Sequence, residues 1–319
     1  QKQMALLTGT FRAHDAEPEE PDLLMALGPF EEGTDVTCLP EDVVVNFESV
    51  HWRGRPNQLS TAHIDWGMDD IAKAVRRSHG SSQYEPAQIP PRRSPVSVRP
   101  VSLRRIIRQR RSAVAMDAET PMSRDTFYRI LQKTLAVPGN IPFNSLTWKP
   151  HLHLAIFVHR VEDLPAGLYF LVRDPAQRKA LKKALTKANQ WRRPIGCPED
   201  LELFSLVEGD ARNAARQISC SQEIASDGCL SLGMIAEYEE SLNRYGPWFY
   251  PRLFWEAGVI GQVLYLEAEA AGIRSTGIGC YFDDSMHDVL GLKDQKYQDL
   301  YHSWPTDFPY CCAQAPAKA

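Results

Sequence analysis

The rhythm of apolar and polar positions changes near residue 100. Before it, "AEPEEPDLLMALGPFEEGTD" is acidic and broken by prolines, and "QIPPRRSPVSVRP" is Pro-rich and basic. Each proline removes a backbone donor and disfavours helix at the residue before it. Residues 1–95 are therefore expected to form an extension and linker, with one short helix starting near Asp65 in "DWGMDDIAKAVRRS". From Val101 the periodicities are firm. Leu103, Ile106, Ile107 and Arg110 recur at helical spacing after Ser102, a suitable N-cap. Ser123 opens a second helix that carries Phe127, Ile130, Leu131 and Leu135 on one face. "HLHLAIFVHRV" then shifts to period two, with Leu152, Leu154, Ile156 and Val158 on one side, which predicts a strand. "LPAGLYFLVRDP" follows a turn at Pro165 and Gly167 and suits its hairpin partner.

Beyond the hairpin, "DPAQRKALKKALTKAN" predicts a polar, basic helix and "SDGCLSLGMIAEY" an apolar strand. From Leu253 the chain is apolar almost all round up to Gly272, a good left-handed stop. Such a helix belongs in the core, and Gly258 and Gly261 notch it for close approach. "DDSMHDVLGL" reads as a short helix and "DQKYQDLYHSW" as a closing strand. Strands and helices mix without a βαβ rhythm, which predicts α+β over a doubly wound sheet.

Composition narrows the function. A net charge of −4 over 319 residues disfavours general polyanion binding, so any basic cluster acts locally. The N-terminal stretch lacks a signal-peptide pattern. Residues 253–266 are too short to span a bilayer and contain Glu256 and Gln262. Seven cysteines, an odd number, without a secretory signal point to reduced thiols in a cytoplasmic setting.

The densest charge cluster is Arg104, Arg105, Arg108, Arg110 and Arg111, which stops at Ser112. A solvated helix face is the ordinary reading. Nucleic acid fits less well, because no aromatic-rich sheet or second basic stripe accompanies the run. A grip on a phosphorylated cofactor also fits, since guanidinium forks suit phosphate oxygens and Ser112 adds a hydroxyl. These residues alone leave the choice open. His151 and His153 alternate on a strand with no second ligand pair at metal spacing, so no metal is expected. Cys220 and Cys229 lack CxxC spacing, and Cys311 and Cys312 are adjacent in the tail; packing or incidental thiols are expected. No P-loop, no GxGxxG after a strand and no Ser or Cys nucleophile motif occurs.

The order of the pieces is more specific. Arg-Arg-Ser, then "HLHLAIFVHRVEDLPAGLYFLVRD", then "RYGPWFYPRLFWEAGVIGQVLYLEAEAAGIRSTGIGCYFDDSMHDVLGL" resembles the FMN-dependent nitroreductase family. Within it, the chain is most similar to the SagB-type, azoline dehydrogenase-like branch, over about residues 101–303. The resemblance implies an antiparallel-rich sheet flanked by helices around a long central helix. The flavin domain would comprise residues 96–319, working as a homodimer with FMN at the interface. Residues 1–95 resemble the tail and linker of a preceding nitroreductase-like unit.

Carried over by position, Arg110, Arg111 and Ser112 match the element that reaches the flavin's ribityl and phosphate groups. The family's usual basic residue two positions after that serine is Val114 here, and beyond Trp304 the tail's basic residue is Lys318. "GIGCYFDD", with Gly277, Gly279 and Cys280, matches the loop at the flavin's reactive edge, where an N–H of Gly279 or Cys280 would bond N5. For Gly277 the alternative is a tight turn before a helix capped by Asp283 or Asp284. Arg244 and Tyr245 match a Lys-Tyr-Gly element that serves proton chemistry; Tyr245 keeps that capacity, whereas Arg244 holds its charge too firmly to act as a base. The implied activity is dehydrogenation of a heterocycle or amino-acid-derived intermediate, on a small-molecule or peptide-derived substrate. NAD(P)H-driven reduction of small aromatics, and a scaffold with a decayed flavin site, are the alternatives. Neither nucleic acid nor membrane is an expected partner.

Overall fold

The computed structural model describes residues 67–76, 101–136 and 141–306. The chain divides into two compact units, residues 1–76 and 77–319. The boundary expected near residue 95 lies outside the described residues, as do Lys318, Cys311 and Cys312. In the first unit, helix α1 (Met68–Ala74) follows Gly67, close to the helix expected from Asp65.

The second unit is α+β. Its helices are α2 (Leu103–Gln109), α3 (Arg124–Lys133), α4 (Arg178–Ala184), α5 (Arg212–Ile218), the single turn α6 (Ile224–Asp227), α7 (Tyr238–Tyr245), α8 (Tyr250–Ala270) and α9 (Asp283–Leu290). Its strands are β1 (Leu152–Val158), β2 (Gly167–Leu171), β3 (Leu203–Glu208), β4 (Leu230–Glu237), β5 (Arg274–Ile278) and β6 (Tyr297–Thr306). They form one sheet in the order β3-β2-β1-β4-β6-β5, with every pairing antiparallel.

The alternation in β1 predicted one buried face, yet all seven of its residues are buried. The reason is position: β1 lies between β2 and β4, and both faces of the sheet are covered. Leu152, Leu154, Ile156 and Val158 pack with Phe127 and Leu131 of α3 and Leu253, Ile260 and Leu264 of α8. On the other face, Ala155 and Phe157 meet Leu181 of α4, Ile218 of α5 and Met286 of α9.

Helix α8 is the long central helix expected from its all-round apolarity, and Gly272 ends it with φ 81°. Its one fully buried charge has a stated purpose. Glu256 accepts from the amides of His151 (3.0 Å) and Leu152 (3.3 Å) and pairs with Arg173. Arg173 also donates to the carbonyls of Thr134 and Leu152, both at 2.9 Å. The pair pins α8 to the start of β1. Among the described residues, no helix is long and apolar enough to cross a membrane.

Local signals performed unevenly. Ser123 caps α3, accepting from the Thr126 amide at 3.3 Å, whereas Ser102 precedes α2 without a side-chain cap bond. Strands β3 and β5 arise where the sequence pattern assigned none. Gly277 lies inside β5 rather than in a tight turn, and α9 starts after Phe282 with no side-chain cap, so Asp283 and Asp284 are first-turn residues instead of caps. Their carboxylates still favour that end through the helix dipole.

Candidate functional site

Helix α2 stops at Arg110, whose amide closes the last turn on Ile106 O at 2.8 Å before the backbone turns extended. The chain then runs beside the outer edge of β5. Ser112 forms a parallel bridge with Ser275, and the Ala113 amide donates to Ser275 O at 3.1 Å. The two expected cofactor elements are thereby brought side by side. Tyr265, near the C-terminal end of α8, locks them. Its hydroxyl accepts from the Gly277 amide at 2.6 Å and lies 3.0 Å from Ser112 Oγ. The guanidinium of Arg110 lies over its ring, 4.8 Å from the centroid.

Gly277 is needed for space. A Cβ there would come within 2.1 Å of the Tyr301 hydroxyl, so no other residue fits without moving that ring. Burial raises the Tyr301 hydroxyl's pKa, which keeps it neutral. The Gly277 N–H is spent on Tyr265 and unavailable to a ligand. Gly279, two residues on, has no atom within 4 Å of where its Cβ would stand, and its amide has no partner among the described residues.

The donor set suits a phosphate-bearing group. Arg111 is exposed and folds back onto the carbonyls of Arg108 (3.2 Å) and Arg110 (2.8 Å). Neither Arg110 nor Arg111 has a carboxylate partner among the described residues. Two guanidinium groups without a carboxylate partner among the described residues, and the exposed Ser112 hydroxyl, thus stand on one edge, able to give charge-assisted hydrogen bonds. Val114, where a further charge was expected, is 84% exposed and contributes none.

The loop after β5 is strapped to the turn between α5 and α6. The Phe282 amide donates to Ile218 O at 2.7 Å, and Gln222 Nε2 to Cys280 O at 3.3 Å. Cys280 is disulfide-bonded to Cys220, with Cα atoms 6.0 Å apart. This corrects the expectation of incidental thiols for Cys220; Cys229, in contrast, is buried and packs as expected. Tyr281 stacks on His302, with ring centroids 4.4 Å apart and planes 12° from parallel. His302 Nε2 lies 2.5 Å from Asp299 Oδ2, and the Asp299 amide donates to His287 Nε2 at 3.1 Å. Burial raises the Asp299 carboxyl's pKa, with His302 opposing it. Gly233 leaves room for this pair: a Cβ there would stand 3.1 Å from both Asp299 Oδ1 and His302 Nε2. Sequence reasoning missed His302 and Asp299, which meet through a register shift between β4 and β6.

Arg244 and Tyr245 lie elsewhere. Tyr245 is 4% exposed, stacked on Phe249 at 4.5 Å and edge-on to His151 at 5.9 Å. The Arg244 guanidinium sits 5.6 Å from the centre of its ring. Phe249 adjoins the N-terminal end of α8 and Tyr265 lies near the other, so at 1.5 Å rise per residue roughly 20 Å of helix separates the two groups. One chain does not bring them together.

Beside Tyr245 is a second charged group that the sequence did not single out. Glu237, at the end of β4, lies 3.4 Å from His151 Nδ1, 3.5 Å from His153 Nε2 and 3.6 Å from Lys149 Nζ. Burial would raise its pKa, but the two histidines prevail and hold it at about 2. Burial likewise opposes the charge on Lys149, yet Glu237 and Asp174 raise its pKa. Glu237 also borders a cavity of about 580 Å³ between α4, α7 and the residues before β6. None of the sequence-predicted site residues lines it.

The class that fold and site define is an α+β protein whose sheet edge carries a phosphate-suited donor set. No family model matches the chain. It is 21% identical to the putative nitroreductase MJ1384 of Methanocaldococcus jannaschii over 97 residues, which cover 30% of this chain and 49% of that protein. The chain thus spans about half the length of the curated relative it matches. Among solved structures it is similar to a putative nitroreductase from Anabaena variabilis, at 22% identity and a TM-score of 0.49, covering 64% of this chain and 38% of that one. It is also similar to a putative nitroreductase from Ralstonia eutropha, at 14% identity and a TM-score of 0.47, covering 72% of this chain and all of that one. Likeness at this level says nothing of chemistry, which rests on the residues themselves.

Proposed function

We propose that the chain is an FMN-dependent oxidoreductase, with the flavin phosphate held by Arg110, Arg111 and Ser112 and the ring edge facing Gly279 and Cys280. The observation that supports this most is the Tyr265 hydroxyl, which ties Ser112 to Gly277 while neither arginine has a carboxylate partner among the described residues. The segment expected to grip the phosphate and the loop expected at the ring edge therefore adjoin through one tyrosine. A bound flavin supplies two-electron chemistry. The protein's part is to hold the phosphate, to offer the open Gly279 amide, and to fix the loop through Cys220, Ile218, Gln222 and His302. The outward face of α8, with exposed Phe254, Gly258 and Gln262, suits a second copy of the chain, and a homodimer is part of this reading. The finer reading is dehydrogenation of a heterocycle or amino-acid-derived intermediate; NAD(P)H-driven reduction of small aromatics is the enzymatic alternative. An absorbance spectrum of the isolated protein, with mass identification of any released flavin, tests it. A flavin spectrum and FMN are expected; a colourless protein that stays colourless with added FMN contradicts the reading.

One observation favours the scaffold alternative: Tyr245, the acid or base of the dehydrogenase reading, is buried among core aromatics. If Tyr245 moves the proton, Tyr245→Phe lowers turnover by about 10²–10⁴-fold with flavin still bound. Unchanged turnover in that variant returns Tyr245 to the core and removes the dehydrogenase chemistry assigned to it.

A further inference from the structure

We infer that Cys220 and Cys280 form an exchangeable thiol–disulfide site, which takes a small thiol or a protein dithiol and controls the loop 279–282. The inference goes beyond the flavin reading and stands without it.

The two cysteines are 60 residues apart in sequence, with Cα atoms 6.0 Å apart, a spacing suited to a disulfide. They join two segments that otherwise touch lightly. Ladder pairing of β5 with β6 ends at Ile278, opposite His302, so the loop leaves the sheet there. Beyond that point it is held by the amide of Phe282 on Ile218, by Gln222 on the Cys280 carbonyl, and by Tyr281 on His302. The first two contacts reach the same turn that carries Cys220. The disulfide is therefore the one covalent fastener among several weak ones, and opening it frees the loop while leaving the sheet intact.

Access decides which cysteines can react. Cys280 is exposed and Cys220 half-buried, with open space around neighbouring Gly279. The other two described cysteines are poor candidates. Cys229 is fully buried, and burial pushes the half-buried Cys197 thiol up to about 11. In the opening step a thiolate attacks the exposed Cys280 sulfur, the S–S bond breaks, and Cys220 leaves as the thiolate. A second external thiol then releases Cys280, so two electrons enter the pair and the external dithiol becomes a disulfide. Closure is the reverse, with a small disulfide such as oxidised glutathione as oxidant.

The test uses the full chain. Thiols are alkylated under native conditions before and after treatment with dithiothreitol, and the labelled residues are mapped by mass spectrometry. The expected result is two additional labels, at Cys220 and Cys280, and their loss after incubation with oxidised glutathione. Hydrogen exchange across 279–282 is expected to speed up on reduction, and to be fast in Cys280→Ser regardless of redox state. Reduction of the unmodified protein serves as the independent arm if that variant folds poorly. A pair that is free on isolation and stays free with oxidised glutathione overturns the inference. So does a disulfide that opens only in denaturant, or loop exchange that is indifferent to its state.

Discussion

At the scale of single residues, a few side chains leave no slack. Gly277 faces the Tyr301 hydroxyl where a Cβ would overlap it. Gly277→Ala should therefore destabilise the protein by about 1–3 kcal/mol, the usual range for overpacking, and loosen the Tyr265 bond. A thermal melt checks this; an unchanged melting temperature would show that Tyr301 moves freely. Val114 is the opposite case, exposed and adding no charge beside two guanidinium groups. Val114→Arg is expected to tighten FMN about tenfold, since one added charge-assisted contact is worth ~1.4 kcal/mol or more. No gain in affinity would place the phosphate elsewhere. The arginines and Ser112 were legible as candidates because their chemistry shows in the sequence. Tyr265 was not, since a tyrosine in an apolar helix reads as core until the strand beside it is known.

At the scale of elements, periodicity found what is long and regular, and lost what depends on neighbours. The central helix and β1 were legible from their own residues. Strand β5 was not, because "RSTGI" is short and its glycine resembles turn chemistry until Tyr301 is seen to require it. The pairs Cys220 with Cys280 and His302 with Asp299 carry no local signature, since strand register and loop placement create them. Glu237 is a similar product of packing, at the end of β4 beside two histidines of β1 and Lys149. Its folded pKa of about 2 lies below the ordinary 4.5. The unfolded chain then takes up this proton first as pH falls. The contribution of Glu237 to stability is therefore present above pH 4.5 and lost as pH drops toward 2. Denaturant midpoints across that window should fall more steeply in the native protein than in Glu237→Gln. Identical slopes would remove the histidine contacts from the account.

At the scale of the whole molecule, the antiparallel sheet of the second unit, with helices on both faces, carries two separate polar centres among the described residues. One lies at the β5 edge, with the arginines, Tyr265 and the disulfide-fastened loop. The other lies near the opposite end of α8, with Glu237, its histidines and Tyr245. A catalytic reading that joins them requires a second chain or a substrate long enough to span them, which is why the homodimer belongs to the proposal. The flavin proposal itself needs the first centre alone, with Arg110, Arg111 and Ser112 binding the phosphate. Titration of the flavin-free protein with FMN and with riboflavin tests it most directly, because the two ligands differ only by that phosphate. Charge-assisted hydrogen bonds of about 1.5–3 kcal/mol each predict FMN binding at least tenfold tighter. Equal affinities for the two flavins, or no binding of either, would contradict it.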